Sequence, residues 1–330
     1  MPELPEVETI RRGLLPLIGS TITSAQVFRD RSVRMHDGGP DAFGADIQDL
    51  VITSAVRRGK FLWLPLGSAV DTPLSSFYGK EPRRRRSQNL DAATSAQHDS
   101  IQAVALLVHL GMSGQLRHWE SAPAPHPHLR VRFNLQMPDG TEQGLDFIDQ
   151  RTFGHLAVVD LVPTPDGKPG GEGSSSGTIP QPAAHIARDV LDPHLDLKAV
   201  IKRIQQKNTE IKRVLLDQTV VSGIGNIYAD EALWAAKIHP QITTSTLSSY
   251  KIKQLITASQ DIIAKSLEVG GTSFDALYVN VNGESGTNSD NLNVYGKHGE
   301  LCPRCGKPIE RITFMNRSSH LCPNCQRLNR

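Results

Sequence analysis

The chain has 330 residues, enough for two or more domains, and its 36 basic and 34 acidic residues leave a formal net charge of only +2. No run of about eighteen apolar residues occurs, which argues against a transmembrane helix. Charged residues interrupt the N-terminus from Glu3 to Arg12, which argues against a signal peptide. We therefore expect a globular cytoplasmic protein, and the overall charge does not by itself indicate a nucleic-acid partner.

The first predicted element is a helix near the N-terminus. Val7, Ile10 and Leu14 recur at helical spacing, and Pro5 and Glu6 suit a first turn. This pattern predicts an amphipathic helix that buries one face.

The chain up to residue 162 is predicted to form a β-sandwich domain, because short apolar segments alternate with glycine and proline. The predicted strands are Thr21–Phe28, Leu50–Val56, Lys60–Pro65, Ile101–Leu110, Leu129–Leu135 and Leu156–Val162. Residues 67–99 interrupt this domain as a polar insertion with a run of arginines at 83–86, which we interpret as a solvated mobile loop.

Residues 163–184 are rich in Pro, Gly and Ser and are predicted to be a second mobile stretch, a linker or an insertion. Residues 185–290 are predicted to form a helical domain with a flexible stretch at 280–290. Its helices are expected around Val200–Ile204, after a cap at Asn208, after a cap at Asn226, and at Ser248–Glu268.

Residues 291–330 contain all four cysteines, as two Cys-x2-Cys pairs separated by sixteen residues: Cys302, Cys305, Cys322 and Cys325. This spacing is typical of a closed, structural Zn²⁺ site on a hairpin, and one ion is expected. Reversible disulfides are the alternative, which suits a cytoplasmic chain less well. Seven basic and two acidic residues follow position 296, so this end suits phosphate contact, although a solvated basic tail has the same composition.

The segment Ser222–Tyr228 lies between two predicted helices and contains Gly223 and Gly225. Glycines let a backbone approach a phosphate closely, and a helix N-terminus offers unpaired N–H groups. A capped turn between helices is the simpler interpretation of the segment by itself.

The N-terminal residues also suggest chemistry. Removal of Met1 would leave Pro2 with a free secondary amine, and an α-amine titrates at about 7.7–8.0, so part of it is unprotonated in a cell. Such an amine attacks carbonyl-like carbons to form a Schiff base. Glu3, the next residue, is placed to transfer a proton.

This N-terminus, Met1–Ile10, resembles that of the bacterial formamidopyrimidine-DNA glycosylases, also called 8-oxoguanine DNA glycosylases. His109–Gly114, Asp149–Gly154, Ser222–Tyr228 and the cysteine module resemble further family motifs in the family's order. The resemblance covers nearly the whole chain apart from 67–99 and 163–184. It implies an α+β multidomain fold with an N-terminal β-sandwich, a helix-two-turn-helix domain and a C-terminal zinc β-hairpin.

The resemblance implies a bifunctional DNA glycosylase and AP lyase that removes oxidised purines such as 8-oxoguanine and formamidopyrimidines. In this interpretation Pro2 is the nucleophile and Glu3 transfers a proton, while Lys60 and Arg317 donate protons during β- and δ-elimination. Lys60 is placed by the match of Arg57–Lys60 to a family stretch.

The resemblance also implies contacts to duplex DNA that contains an oxidised purine. Met112, Arg151 and Phe153 would fill the gap left by an extruded base, because lost stacking must be offset. Phosphate or other DNA contacts are implied for His126, Asn208, Lys212 and Asn226. Thr152 and Asn208 stand where the family usually has basic residues. The protein is expected to act as a monomer, without a membrane partner.

Two other functions fit parts of the sequence. A sister glycosylase that prefers oxidised pyrimidines shares the Pro2–Glu3 start, although Leu4–Thr9 and the Met112 and Arg151–Phe153 motifs favour the purine branch. A zinc-containing protein that binds damaged DNA without cutting it leaves Pro2, Glu3 and Lys60 unexplained.

Overall fold

The computed structural model describes residues 2–68, 103–270 and 292–328. Most of the insertion at 67–99, with its arginine run, and the stretch 280–290 lie outside the described residues. None of the helices in the described part of the chain has the length and apolar character that a membrane span needs.

The first part of the chain is rich in strands. Its elements are α1 (Leu4–Gly13), β1 (Thr21–Val27), α2 (Gly39–Ile47), β2 (Leu50–Ile52), β3 (Val56–Arg58), β4 (Phe61–Ser68), β5 (Val104–His109), β6 (Gly114–Trp119), β7 (Leu129–Gln136), β8 (Glu142–Asp149), β9 (His155–Pro163) and β10 (Thr178–Pro180). The strands follow the hydrogen-bonded order β10-β9-β5-β4-β2-β1-β7-β8-β6, and β3 pairs with β4.

This path of strands buries side chains from both of its halves in one core. Leu64 of β4 and Leu106 of β5 belong to the same cluster as Phe133 of β7 and Phe147 of β8. The two halves of the sheet therefore pack face to face over a shared core, which confirms the sandwich-like, sheet-rich domain. Helix α1 adds Val7 and Ile10 to this core, as its apolar spacing predicts.

The strand predictions missed β6 and β8 and joined β2 to β3. Strand β8 was missed because charged residues interrupt its apolar pattern. The pairing of β8 with β7 accounts for them: Asp146 of β8 is buried, and Arg132 of β7 donates two hydrogen bonds to its carboxylate at 2.7 Å. Pairing across strands thus permits a charge that a single-strand pattern excludes.

The composition of residues 163–184 predicts a mobile stretch, and this prediction is wrong. Strand β10 pairs with β9, and Ile179 packs in a second core with Trp63. Glu172 exchanges both backbone hydrogen bonds with Arg57, at 3.0 and 2.8 Å. Gly171 is required here, because a Cβ at this position would collide with the Arg57 carbonyl. We call residues 170–174 the strap, since they lie against β3.

The remaining helices are α3 (Leu197–Gln206), α4 (Ile211–Leu216), α5 (Asn226–Ala235) and α6 (Ser249–Glu268). They enclose a core that also contains Leu4 of α1. Helix α6 confirms the helix predicted at Ser248–Glu268, and the structure adds that Ser248 caps it by accepting from the Lys251 N–H. The caps predicted at Asn208 and Asn226 are wrong: α4 begins after Glu210, and α5 begins at Asn226 itself, after Gly225.

The chain ends in the predicted β-hairpin, with β11 (Glu310–Phe314) paired to β12 (Arg317–Leu321). A small core of its own contains Val294, Ile309 and the buried Cys302 and Cys322. The hairpin packs against α5, because the carboxylate of Asp230 accepts hydrogen bonds from the Ser319 hydroxyl and the His320 N–H at 2.7 and 2.8 Å.

Candidate active site and nucleic-acid interface

Glu3 occupies the N-terminus of α5. Its carboxylate accepts hydrogen bonds from the backbone N–H groups of Gly225 and Ile227 at 2.7 and 3.0 Å, and from that of Tyr228 at 3.4 Å. These groups have no partner within the helix, so a carboxylate 222 residues away in the chain takes the place of a local cap. A Cβ at Gly225 would collide with this carboxylate, which explains the glycine.

Burial raises the pKa of Glu3, an effect that Lys60 and the N–H groups of Ile227 and Tyr228 oppose. A carboxyl group with a raised pKa exchanges protons more readily near neutral pH, which suits general acid–base chemistry. Pro2 is also buried and directly precedes this carboxyl group. The structure thus places the predicted nucleophile beside a group that can carry a proton.

Lys60 contacts the same loop before α5. Its Nζ donates to the carbonyl oxygen of Ile224 at 2.8 Å. Burial lowers the pKa of Lys60, while Glu3 raises it and Arg317 lowers it further. Lys60, Glu3 and the hairpin arginine therefore share one electrostatic environment, although they come from β-sheet, N-terminus and hairpin.

Arg317 is exposed at the start of β12, beyond the turn formed by Met315 and Asn316. The hairpin is held near the loop before α5, because the side-chain amide of Asn226 donates to the Ser318 carbonyl at 3.1 Å. Asn226, which is half-buried and is a predicted phosphate contact, therefore also holds Ser318, the residue after Arg317.

The predicted base-replacing residues lie together. Met112 and Phe153 expose 40% and 47% of their surface, which leaves both apolar side chains accessible for insertion into a base stack. The Arg151 guanidinium donates to the Met112 sulfur at 3.5 Å. Two loops from different strands thus present one apolar and cationic surface, which we call the wedge (Met112, Arg151 and Phe153).

Asp149 organises both wedge loops from beneath. Its carboxylate accepts from the Gly154 N–H at 2.7 Å, from the Arg151 N–H at 3.2 Å and from the Ser113 hydroxyl. Thr152 has φ of 54°, a left-handed conformation that costs a β-branched residue about 1–3 kcal/mol and persists only where its surroundings impose it.

Four arginines around the wedge carry no recognisable signal in the sequence. Arg34 donates to the carbonyl oxygens of Phe153 and Gly154 at 2.9 Å each and so fixes the loop. Arg29, Arg31 and Arg130 line an open groove of about 670 Å³ beside Arg151. Arg29, Arg31 and Arg34 follow β1 closely, but Arg130 lies on β7 and Arg151 follows β8, so these residues meet only through the pairing of β1 with β7 and of β7 with β8.

The other predicted DNA contacts have different settings. His126 is exposed, and its Nδ1 accepts from the His128 N–H at 3.0 Å. Asn208 is exposed before α4 and accepts from the Ser245 hydroxyl at 3.2 Å. Their contacts to DNA stay predictions.

Lys212 does not have the setting expected of a phosphate ligand. Its side chain is completely buried, and Nζ lies 2.7 Å from Asp230 Oδ1. It also donates to the Ser318 carbonyl at 3.3 Å and lies over the Phe314 ring. We therefore assign Lys212 to the attachment of the hairpin to the helical domain.

The four cysteines meet the requirements of a closed metal site. Their sulfur atoms all lie within 4.8 Å of one another. Four thiolates at about 2.3 Å from a common centre match a tetrahedral Zn²⁺ site. The indole of Trp234 donates to Cys302 Sγ at 3.4 Å, so α5 directly supports one of the ligands.

Three family models match the chain in sequence order. They are the formamidopyrimidine-DNA glycosylase N-terminal domain over residues 1–156, the formamidopyrimidine-DNA glycosylase H2TH domain over 186–277, and the zinc finger found in FPG and IleRS over 299–328. A formamidopyrimidine-DNA glycosylase of Kineococcus radiotolerans is 48% identical over 99% of this chain and 97% of its own length. The chain belongs to the formamidopyrimidine-DNA glycosylase family.

Solved structures agree with this assignment. A Lactococcus lactis FPG variant in complex with DNA containing Fapy-dG matches with a TM-score of 0.74 and 28% identity, over 99% of this chain and 100% of the other. A Lactococcus lactis Fpg complex with DNA containing an abasic site matches over the same shares, with a TM-score of 0.73 and 27% identity. The chain is thus a DNA glycosylase with a zinc finger that holds one structural zinc ion.

Proposed function

We propose that this glycosylase removes oxidised purines from duplex DNA with Pro2 as nucleophile and then cuts the strand as an AP lyase. The observation that carries the proposal is the placement of Glu3: its carboxylate is fixed on the N-terminus of α5, next to Pro2 and in the electrostatic environment of Lys60. Once Met1 is removed, the Pro2 nitrogen is a secondary amine beside a proton carrier.

Excision begins when the wedge enters the stack and the damaged nucleotide rotates out of the duplex. The Pro2 nitrogen attacks C1′ of the sugar, the bond from C1′ to the base breaks, and the base leaves with its bonding electrons and takes up the proton that the Pro2 nitrogen loses. Glu3 transfers a proton to the sugar ring oxygen as the ring opens, and the nitrogen and C1′ are joined as an iminium.

Strand cleavage follows from the iminium. It makes the neighbouring C2′ proton acidic, so loss of that proton expels the 3′ phosphate, and a second elimination expels the 5′ phosphate. Lys60 and Arg317 carry positive charge to this region, and the lowered pKa of Lys60 favours proton exchange near neutral pH. Arg317 grips a flanking phosphate.

The wedge supports action on duplex DNA, and the arginine groove beside it supports contact with the phosphate backbone. His126, Asn208 and Asn226 are further proposed contacts. Glu3, Lys60 and Arg317 all come from one chain, which supports a monomer. The Kineococcus radiotolerans relative is a bacterial protein, which supports action in the bacterial cytoplasm where the DNA lies.

Borohydride trapping on a duplex with a single 8-oxoguanine tests the proposal, with thymine glycol in the same sequence as the competing substrate. We expect trapping and excision of 8-oxoguanine, with strong loss of trapping in Pro2→Gly. Undiminished trapping by Pro2→Gly excludes Pro2 as nucleophile. Faster excision of thymine glycol than of 8-oxoguanine would assign a preference for oxidised pyrimidines. Binding of both duplexes without excision of either lesion would refute the proposed enzymatic activity.

A further inference from the structure

Arg57 lies three residues before Lys60 and is almost completely buried, with 2% of its surface exposed. Its Nε donates to Glu8 Oε2 at 3.0 Å, and its Nη1 donates to Asp189 Oδ2 at 2.7 Å. The same Asp189 oxygen accepts from the Gly59 N–H at 2.9 Å. Arg57 and Asp189 together therefore hold the turn that carries Lys60.

That turn is pressed against the loop before α5. Gly59 has φ of 58°, and a Cβ there would collide with the Ser222 side chain and the Gly223 nitrogen. Ile224, the acceptor of the Lys60 Nζ hydrogen bond, belongs to the same loop. A small movement of Gly59 would thus change where Lys60 Nζ lies.

Glu8 connects this turn to the N-terminus. It lies on α1, the helix that follows Pro2 and Glu3, and it also accepts hydrogen bonds from Arg11 and Arg12. Arg57 therefore joins three parts of the chain through one guanidinium group: the helix behind the proposed nucleophile, the turn before Lys60, and the start of the helical domain at Asp189.

The strap lies beside the ion pairs that Arg57 forms with Glu8 and Asp189. Glu172 of the strap pairs with the backbone of Arg57, and its carboxylate lies 3.8 Å from the guanidinium of Arg11, which also binds Glu8. Glu8 stays ionised: although its burial opposes this, the guanidinium groups of Arg11 and Arg57 lower the pKa of Glu8 to about 2. A buried ion pair is often no more stabilising than an apolar replacement, so fold stability alone does not explain this one.

We propose that Arg57, through its ion pairs with Glu8 and Asp189, is a positioning residue that sets the place of Lys60 relative to Pro2 and Glu3. The inference rests on the proposed role of Lys60. The Arg57 side chain makes no hydrogen bond to any of the four proposed catalytic side chains and is too buried to reach DNA. Its effect therefore passes through the Gly59 backbone and α1.

Arg57→Lys tests this, with Arg58→Lys as the matched control. Arg58 is a buried arginine on the same strand and donates to the Gly170 and Ile186 carbonyls, but it has no hydrogen bond to Glu8, Gly59 or Asp189. Lysine keeps the charge and lacks the planar fork that reaches two carboxylates at once. Single-turnover cleavage of an abasic duplex, duplex Kd and the pH profile are measured for both variants.

We expect Arg57→Lys to cleave at least about tenfold more slowly, because misplacement by about 1 Å can cost a hundredfold, with duplex Kd within about twofold. The charged groups facing Lys60 are Glu3 just before α1, Glu6 on α1 and Arg317 on β12. A loosened turn exposes Lys60 to water, which raises its lowered pKa. The pH above which the cleavage rate falls should therefore move to higher pH. Arg58→Lys should keep both the rate and this pH.

A rate within twofold of the parent in Arg57→Lys overturns the inference, as does an equal loss in Arg58→Lys. Asp189→Asn provides a second variant if Arg57→Lys does not fold, because it keeps an acceptor for Gly59 and removes the charge. Lys60→Ala separates the two claims. Full cleavage by Lys60→Ala refutes the proposed role of Lys60, whereas impaired Lys60→Ala with normal Arg57→Lys refutes only the positioning.

Discussion

Replacing Lys212 by methionine distinguishes a structural lysine from a phosphate ligand. In the structure the substitution leaves Asp230 buried without its cation, although the carboxylate keeps the Ser319 hydroxyl and His320 N–H donors. Breaking a buried pair by removing one partner costs about 3–5 kcal/mol. Because two donors remain, we expect a loss near the lower end, about 3 kcal/mol, in the free energy that attaches the hairpin.

The assay has two readouts. Chemical denaturation, monitored by the release of zinc, measures how firmly the hairpin is attached. The Kd for duplex DNA, measured across salt concentrations, reports the number of phosphate contacts. Each phosphate contact contributes about 0.9 to the slope of log Kd against log salt. We expect Lys212→Met to weaken attachment and leave the slope unchanged under conditions that retain zinc, whereas Arg317→Gln should lower the slope by about one.

A double variant gives the control for lost charge. Lys212→Met with Asp230→Asn removes both charges and keeps one oxygen that can accept from the His320 N–H, while the amide NH2 can donate to the Ser319 hydroxyl, so it should recover part of the lost stability. A slope that falls by about one in Lys212→Met, with unchanged stability, would refute the structural role and restore the phosphate-ligand interpretation.

Three further results are expected. Asp149→Ala should slow excision of 8-oxoguanine about tenfold or more but affect cleavage of an abasic duplex less, because only the intact lesion must be extruded by the wedge; equal losses on the two substrates in single-turnover assays argue against this. Glu3→Gln should raise the thermal melting temperature progressively as pH rises above the ordinary glutamate pKa. The raised pKa of Glu3 means that its ionisation costs folded-state stability, and glutamine does not ionise, so the gain should vanish in acid. A difference in melting temperature that does not change with pH contradicts the raised pKa of Glu3. Cys322→Ser should lose stoichiometric zinc by elemental analysis and bind duplex more weakly, and a zinc-free variant with full DNA affinity contradicts the role of the hairpin.

The sequence predicts features that short stretches encode. Helix α6, the apolar face of α1 and the spacing of the four cysteines each depend on residues close together in the chain, so local rules find them. The wedge was located by its resemblance to a family motif, and the structure adds that its loops converge on Asp149.

The sequence does not predict contacts made across long separations. Asn226 is a residue type that often caps helices, yet the carboxylate of Glu3 accepts the N–H groups at the start of α5. Glu3 reaches this position from the other end of the chain. The strap is rich in glycine, which indicates mobility by composition, but glycine is present there so that the backbone can approach β3. Likewise nothing near Arg57 indicates that its partner is Asp189, 132 residues away.

Peptide mapping of the borohydride-trapped complex tests the central claim most directly, since it identifies the atom that bonds to the sugar. The enzyme is trapped on an 8-oxoguanine duplex, the DNA is digested to a sugar remnant, and the N-terminal peptide is sequenced by tandem mass spectrometry. We predict that the remnant lies on the nitrogen of Pro2 in a peptide that lacks Met1. A remnant on Lys60 or another lysine, or trapping by protein that retains Met1, would contradict the account.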